Sequence, residues 1–264
     1  MGKLDGKVAI VTGSSAGIGR YTAALFAEEG ASVTIHGRSS ESINKTVELL
    51  KSKGVPESKF LVVQGQIELE QTCHELITKT IEKFGRLDIL VNNAGIGGKA
   101  GIDLLSMENF QYTFDVNLKS VVLLTQLAIP QLEKTKGNIV NVSSIAALHA
   151  GAMVPFYNMA KAALDHFGRC YSLILADKGI RINTLNPGGV TTEFGLKLGM
   201  NDEQLENWQR KFAETCVPMK RFGVSEEMAK TILFLATDAT YMTGANIVAD
   251  GGTINFAPMP KLEN

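Results

Sequence analysis

Tyr157 and Lys161 stand four residues apart, a spacing that puts a phenol and an ammonium on one face of a helix. Of the five tyrosines in the chain, only Tyr157 has a lysine four positions on. A nearby positive charge favours the phenolate and lowers a phenol's pKa from about 10. Such a pair is suited to exchange a proton with an alcohol or ketone near neutral pH. Taken alone, the spacing is more often an ordinary amphipathic surface. A second feature raises its value. Thr12-Gly13-Ser14-Ser15-Ala16-Gly17-Ile18-Gly19 is a glycine-rich turn that leaves a strand-like run and enters a helical one. Its glycines let the backbone turn tightly and approach a pyrophosphate at a helix N-terminus. The same turn could serve without a ligand, but its place at the first strand of an alternating chain favours the nucleotide.

These residues need elements to position them. Strand-like runs at Lys7–Val11, Ser32–Ile35, Phe60–Val63, Asp88–Val91, Asn138–Val142, Ile180–Leu185 and Asn246–Ala249 alternate with helical segments. The helices are expected at Gly17–Glu29, Glu41–Lys53, Leu69–Phe84, Met107–Lys134 and Pro155–Asp177. Ser225, with Glu226 and Glu227, reads as the cap and acidic first turn of a last helix. Short strands apolar on both faces imply a parallel sheet covered on both sides. The fold class is α/β, a doubly wound sheet of about seven strands with helices on both faces. Ligands of such sheets sit at the carboxyl ends of the strands. No linker or repeat divides the chain, so 1–264 reads as a single domain. Val190–Val217 breaks the rhythm, and 193–217, with Gly195 and Gly199, reads as a substrate lid.

Composition excludes several classes. The 264 residues carry 26 Lys and Arg against 27 Asp and Glu, a net charge of −1, which gives no reason to expect nucleic acid. Hydrophobic residues at 45% and charged residues at 20% argue against long disorder. Cys73, Cys170 and Cys216 form no disulfide framework. No metal site is expected: His74-Glu75 lacks the second histidine of H-E-x-x-H, and His166 with Cys170 reads as a packed pair. No apolar run has the length of a membrane span, and the start has no signal-peptide core. A soluble, cytoplasmic protein with no membrane partner is the expectation.

The turn T-G-x-x-x-G-x-G resembles the cofactor motif of the short-chain dehydrogenases/reductases, in the branch of about 250 residues whose sheet is Rossmann-like. The rest of that family's pattern follows in order. Asn92-Asn93-Ala94-Gly95 comes after the fourth strand, Asn117 lies in Phe114-Asp115-Val116-Asn117-Leu118, and Ser144 ends the fifth strand. Tyr157-x-x-x-Lys161 comes 13 residues after Ser144, and Pro187-Gly188 follows the sixth strand. The match runs from about Lys3 to Gly252.

The resemblance implies a catalytic set of Asn117, Ser144, Tyr157 and Lys161. Tyr157 is then the acid in ketone reduction and the base in alcohol oxidation, and Lys161 also holds the nicotinamide ribose. Ser144 binds the substrate oxygen, with Ser143 a competitor, and Asn117 bends its helix and holds a relay water. Cofactor contacts are implied for Gly13, Ser14, Ser15, Gly17, Ile18, Gly19, Asn93, Ala94, Gly95, Pro187, Gly188, Val190 and Thr192. Gln66 and Ile67 follow the third strand. There the family usually has an adenine-binding Asp, and Gln66 supplies a hydrogen bond without charge. The second strand ends His36-Gly37-Arg38-Ser39. Gly37 stands about where NAD-preferring relatives have an acid. Arg38 offers a donor fork to a 2′-phosphate, and Ser39 could add a hydroxyl contact. NADP(H) is therefore the preferred cofactor, with NAD(H) possible. Against this, Ala16 stands where many NADP-dependent relatives have a second basic residue.

The substrate implied is a small carbonyl or secondary alcohol, mostly apolar. Ala147, His149, Met153, Phe156, Phe194, Leu196, Leu198, Met200 and Trp208 are the residues placed to face it. Alternatives are a catalytically silent cofactor-binding protein, an NAD-preferring dehydrogenase of the same fold, and an epimerase or dehydratase. The resemblance also implies a homo-oligomer, a tetramer first and a dimer second. Its faces would be the helices around 109–133 and 155–177 and the last strand. The glycine-rich segment Ile96–Asp103 has no assigned role.

Overall fold

A computed structural model describes residues 2–194 and 200–257. Seven parallel strands form one sheet in the order β3-β2-β1-β4-β5-β6-β7. They are β1 (Val8–Val11), β2 (Ser32–Gly37), β3 (Phe60–Gln64), β4 (Ile89–Asn92), β5 (Asn138–Val142), β6 (Arg181–Pro187) and β7 (Asn246–Ala249). Every residue of β1, β4 and β5 is buried, the pattern of strands covered on both faces. The strand order reverses between β1 and β4, where Val11 lies beside Ile35 on one side and Val91 on the other. Crevices for ligands open at this reversal, at the carboxyl ends of the strands.

Alternate side chains of the strands feed two cores. On one face Val11, Val33, Val91 and Val140 pack with Ala23 and Phe26 of α1 (Gly17–Glu28), Leu50 of α2 (Ser40–Ser52) and Ile232 of α8 (Ser225–Ala236). On the other, Ile10, Leu90, Ile139 and Ile182 meet α3 (Glu70–Phe84) through Cys73 and Leu76. Leu124 and Leu132 of α5 (Ser120–Thr135) and Leu175 of α6 (Pro155–Ala176) complete that core. No described helix is long and apolar enough to cross a membrane.

Three segments differ from the sequence-based expectation. Met107–Lys134 is not one α-helix. α4 (Met107–Phe114) passes through a π-helical turn at Asp115–Lys119 before α5 begins. Within that turn the Asn117 amide donates to the Thr113 carbonyl at 2.9 Å, so a side chain competes for the backbone ladder. The segment read as irregular contains α7 (Asp202–Cys216). Asn201 Oδ1 accepts from Gln204 N at 2.8 Å and Gln204 Oε1 accepts from Asn201 N at 3.0 Å, a reciprocal cap that opens the helix. Residues 195–199, including Gly195, Leu196, Leu198 and Gly199, lie outside the described residues. Finally, Ser225 is the first helical residue of α8, buried, and not its cap. The Glu227 carboxylate closes that end by accepting from Val224 N at 2.9 Å.

Candidate active site

The turn between β1 and α1 is shaped by what a side chain would hit. Gly13 and Gly17 have φ of 63° and 50°, in the region that favours glycine. A Cβ on Gly13 would approach Ala94 Cα to 2.8 Å, and one on Gly17 would approach the Thr192 methyl to 3.1 Å. Ala16 precedes α1 with no side-chain cap, and the first turn holds no acidic residue. The first N–H groups of α1 therefore remain available to an anion, reinforced by the helix dipole. On this test the residues present fit the pyrophosphate of a dinucleotide.

His36, which the sequence reading did not single out, holds this turn. His36 N donates to Ser14 Oγ at 2.9 Å. Its Nδ1 accepts from Gly13 N at 3.1 Å, so the proton sits on Nε2, 3.2 Å from the Gly65 carbonyl. Burial pulls the imidazole pKa down to about 4. Ser14 is fully buried, and a Cβ on Gly19 would meet the Asn93 amide and the Gly13 carbonyl within 2.5 Å. Both residues build the turn and do not line the cavity. Thr12 Oγ1 accepts from Asn93 N and Ala94 N, each at 3.0 Å, which fixes the segment after β4.

A cavity of about 520 Å³ runs along the strand ends. Arg38, Ile67, Glu68 and Val116 line it, as do Gly13, Ser15, Gly17 and Ile18 of the turn, Asn93, Ala94 and Gly95, then Ser144, Tyr157 and Lys161, and Pro187, Gly188, Val190 and Thr192. Ser39 and Gln66 are exposed and line a shallow outer groove with Arg38. Ser39 Oγ accepts from Ser42 N at 3.3 Å as the cap of α2. Arg38 donates to the Tyr112 hydroxyl at 3.0 Å. A side chain at position 37 would meet Ser15 at 2.6 Å, so glycine there is a steric requirement of the turn. Arg20 ties α1 to α2 through Ser15 O and Thr46 Oγ1 and is absent from the cavity wall.

At the other end, the Lys161 ammonium donates to the Val142 carbonyl at 2.8 Å and stands 5.7 Å from the Tyr157 ring centre. The expected lowering of the phenol is not what results. Desolvation of the half-buried Tyr157 dominates and pushes the phenol up to about 12, while the neighbouring Ser144 hydroxyl works in the opposite direction. Burial also pulls Lys161 down to about 8, against the field of Asp165 one turn further along α6. Tyr157 is therefore held in its protonated form. Ser143 Oγ donates to the Lys161 carbonyl at 3.3 Å, turned into α6, whereas Ser144 lies against Tyr157. Geometry thus favours Ser144 over Ser143.

Asn117 is fully buried behind the wall. Its Oδ1 accepts from Ile96 N at 3.0 Å, and its amide donates to Ile96 O and Thr113 O, each at 2.9 Å. With both amide protons engaged by backbone, its side chain positions the loop after β4. A Cβ on Gly95 would come 2.9 Å from Asn117 Oδ1 and 3.4 Å from Lys161 Nζ, so glycine permits that packing.

Beyond Tyr157 the wall turns apolar. The Phe194 ring centre is 5.6 Å from that of Tyr157. Trp208, Phe212 and Phe222 form a cluster with centres 5.3, 5.9 and 5.8 Å apart, and Met153, Met200 and Leu205 extend the lining. His149 also lines it, but Ala147 and Phe156 do not. Phe156 packs on Phe110 instead, 5.2 Å between centres. Leu205 and Phe212 were missed because no helix was assigned over 202–216, and Phe222 because it reaches the cavity from the loop that follows. The Asn201…Gln204 capping pair was the signal available.

Comparison with known proteins agrees with this geometry. A family model described as enoyl-(acyl carrier protein) reductase matches residues 13–253. An uncharacterised oxidoreductase of Thermotoga maritima is 43% identical over 255 residues, covering 94% of this chain and 98% of that protein. A 3-oxoacyl-[acyl-carrier-protein] reductase of the same organism is 35% identical over 254 residues, covering 96% and 99%. A Caenorhabditis elegans short-chain dehydrogenase/reductase of unknown function, crystallised with cofactor, superposes with a TM-score of 0.92 at 39% identity, covering 97% of each chain. The chain belongs to the short-chain dehydrogenase/reductase family. It is an oxidoreductase acting on CH–OH and C=O groups with a nicotinamide cofactor.

Proposed function

We propose that the protein interconverts a mostly apolar ketone and its secondary alcohol, with preference for NADP(H) over NAD(H). One observation carries the reading: Ser144, Tyr157 and Lys161 converge on the same cavity that Phe194, Trp208, Phe212 and Phe222 line. A nicotinamide bound there supplies or accepts the hydride. In the reductive direction Ser144 Oγ–H and Tyr157 Oη–H hydrogen-bond the substrate oxygen, and Tyr157 delivers its proton to that oxygen as the alkoxide forms. The Lys161 ammonium stabilises the phenolate left behind and binds the ribose hydroxyls. The Asn117 side chain positions the loop after β4. The aromatic wall excludes water and takes up the substrate's hydrocarbon surface. No lysine or arginine lines that end besides Lys161, which gives a phosphate or carboxylate substrate no anchor among the described residues. The reading of NADP(H) rests on Arg38 beside a glycine in place of an acid.

The test is a screen of apolar ketones and secondary alcohols with both cofactors, followed at the reduced nicotinamide band. Tyr157→Phe should lower turnover on the best substrate by about 100- to 10,000-fold and leave cofactor affinity almost unchanged. Turnover within threefold of the unmodified protein would overturn the assignment of Tyr157.

A further inference from the structure

We propose that Asp165 is a positioning residue that acts through Lys161, as the buried counter-charge that keeps it an ammonium. The assignment rests on the role of Lys161 in the function proposed above, and not on the identity of the substrate. Lys161 and Asp165 stand four residues apart on α6, so they share a helix face, and they are only 3% and 2% exposed. A buried ammonium is costly unless an opposite charge lies close to it. The bond that Lys161 donates to the Val142 carbonyl supplies a dipole and no charge.

Asp165 is fixed where its charge is needed. Its Oδ2 accepts from the Asn186 amide at 2.8 Å, and the same amide donates to the Ser144 carbonyl at 3.0 Å. The carboxylate is thereby tied to β6 and to the segment that carries Ser144. Its Oδ1 has no hydrogen-bond partner among the described residues, the nearby Ser143 hydroxyl being turned to the Lys161 carbonyl. Burial pushes the Asp165 carboxyl up, while Ser143 and Asn186 and the charges of Arg169 and Lys161 work the other way. Across an interior that screens charges weakly, each member of the pair favours the ionised form of the other.

The other ionisable groups on elements packed against α6 are engaged elsewhere. On α4, Glu108 pairs with Lys99, and Tyr112 bonds Arg38. In the π turn, Asp115 accepts from Gln111 and Lys119 faces Glu70. Arg181 of β6 donates to the carbonyls of Leu235 and Ala239. The short turn Ile145–Ala147 has no ionisable side chain. On α6 itself Arg169 is exposed, one turn beyond Asp165. Of the other carboxylates on the cavity wall, Glu193 is exposed, and Glu68 follows β3 on the far side of the sheet.

The experiment follows the carbon-13 shift of Lys161 Cε against pH in the full chain without added cofactor, unmodified and as Asp165→Asn. Asparagine keeps the shape and still accepts from Asn186 through its Oδ1, but carries no charge. The Lys161 midpoint, at about 8 in the unmodified protein, should fall by about one pH unit in the variant. The alkaline limb of kcat/KM for ketone reduction should fall with it. Activity of the variant is then within about threefold of the unmodified protein at pH 6 and about tenfold below it at pH 9. An unchanged Lys161 midpoint, or a limb that stays in place while activity drops alike at both pH values, would overturn the assignment. If the variant does not fold, the carbon-13 shift of the Asp165 carboxyl in the unmodified protein decides: an ionised group at pH 7 supports the counter-charge, and a protonated one overturns it. A lowered midpoint in a protein that reduces no ketone with either coenzyme removes the proposed function and leaves the counter-charge standing.

Discussion

His36 makes the glycine turn after β1 sensitive to acid. Its imidazole titrates at about 4 in the folded chain against 6.5 when free, because burial and the Gly13 N–H both favour the neutral ring. Between those two values the unfolded chain binds the proton and the folded chain does not. The contribution to stability is therefore complete above pH 6.5 and is lost as pH falls towards 4, a difference of roughly 3 kcal/mol. Urea unfolding at pH 7 and pH 4.5 should show the unmodified protein losing more stability than His36→Gln; equal losses would remove the role. Arg38 carries the second prediction at this scale. Arg38→Ala should weaken NADPH binding by roughly 10- to 150-fold and barely affect NADH. Better turnover with NADH than with NADPH at equal concentrations in the unmodified protein would refute this reading of Arg38. Tyr157 and Lys161 were legible as a pair because a spacing of four puts both on one helix face, whereas Ser144 came from the family resemblance. His36 was not legible, because its bonds to Gly13 and Gly65 join segments far apart in the chain.

At the scale of elements, α7 decides how the apolar end is closed. Of its 15 residues only Leu205 and Ala213 are buried, while Trp208 and Phe212 reach the cavity. A helix anchored so lightly opens more readily than the core helices around it. Amide exchange over Asp202–Cys216 should be faster than over Pro155–Ala176, and should slow on addition of cofactor with an apolar ketone. Equal exchange with and without those ligands would count against α7 as a moving wall. Sequence reading passed over this helix because its polar residues outweigh its apolar ones, and its packing partner Phe222 comes from beyond it. The π turn at Asp115–Lys119 left no trace in the helical period, although the family resemblance implied that Asn117 bends its helix there. Helical period does not reveal where Asn117 turns aside to bond Ile96.

For the whole molecule, the surface predicts self-association. Leu173 and Ile174 on α6 are 81% and 57% exposed, and Val248 of β7, Tyr241 shortly before it and Phe234 of α8 are exposed too. β7 is also a sheet edge with unpaired backbone groups along one side. Scattered exposed apolar residues are ordinary, but paired ones on one helix and an open edge strand favour burial between copies. Light scattering should give a tetramer of the 28.4 kDa chain, with Ile174→Glu shifting it towards smaller species. A 28.4 kDa particle at micromolar concentration would refute this.

The alternation of apolar strands and amphipathic helices determined the sheet on its own, since strands apolar on both faces have no stable alternative to a covered parallel sheet. Local spacing likewise determined the glycine turn and the Tyr157–Lys161 face, because both operate within one or two helical turns. The tertiary structure alone decided what depends on groups far apart in the chain. It set the raised phenol of Tyr157, since burial outweighed the hydrogen bond with Ser144. It also joined His36 to the turn of Gly13 and to Gly65. These are matters of desolvation and of which distant backbone arrives nearby, and no local pattern encodes either.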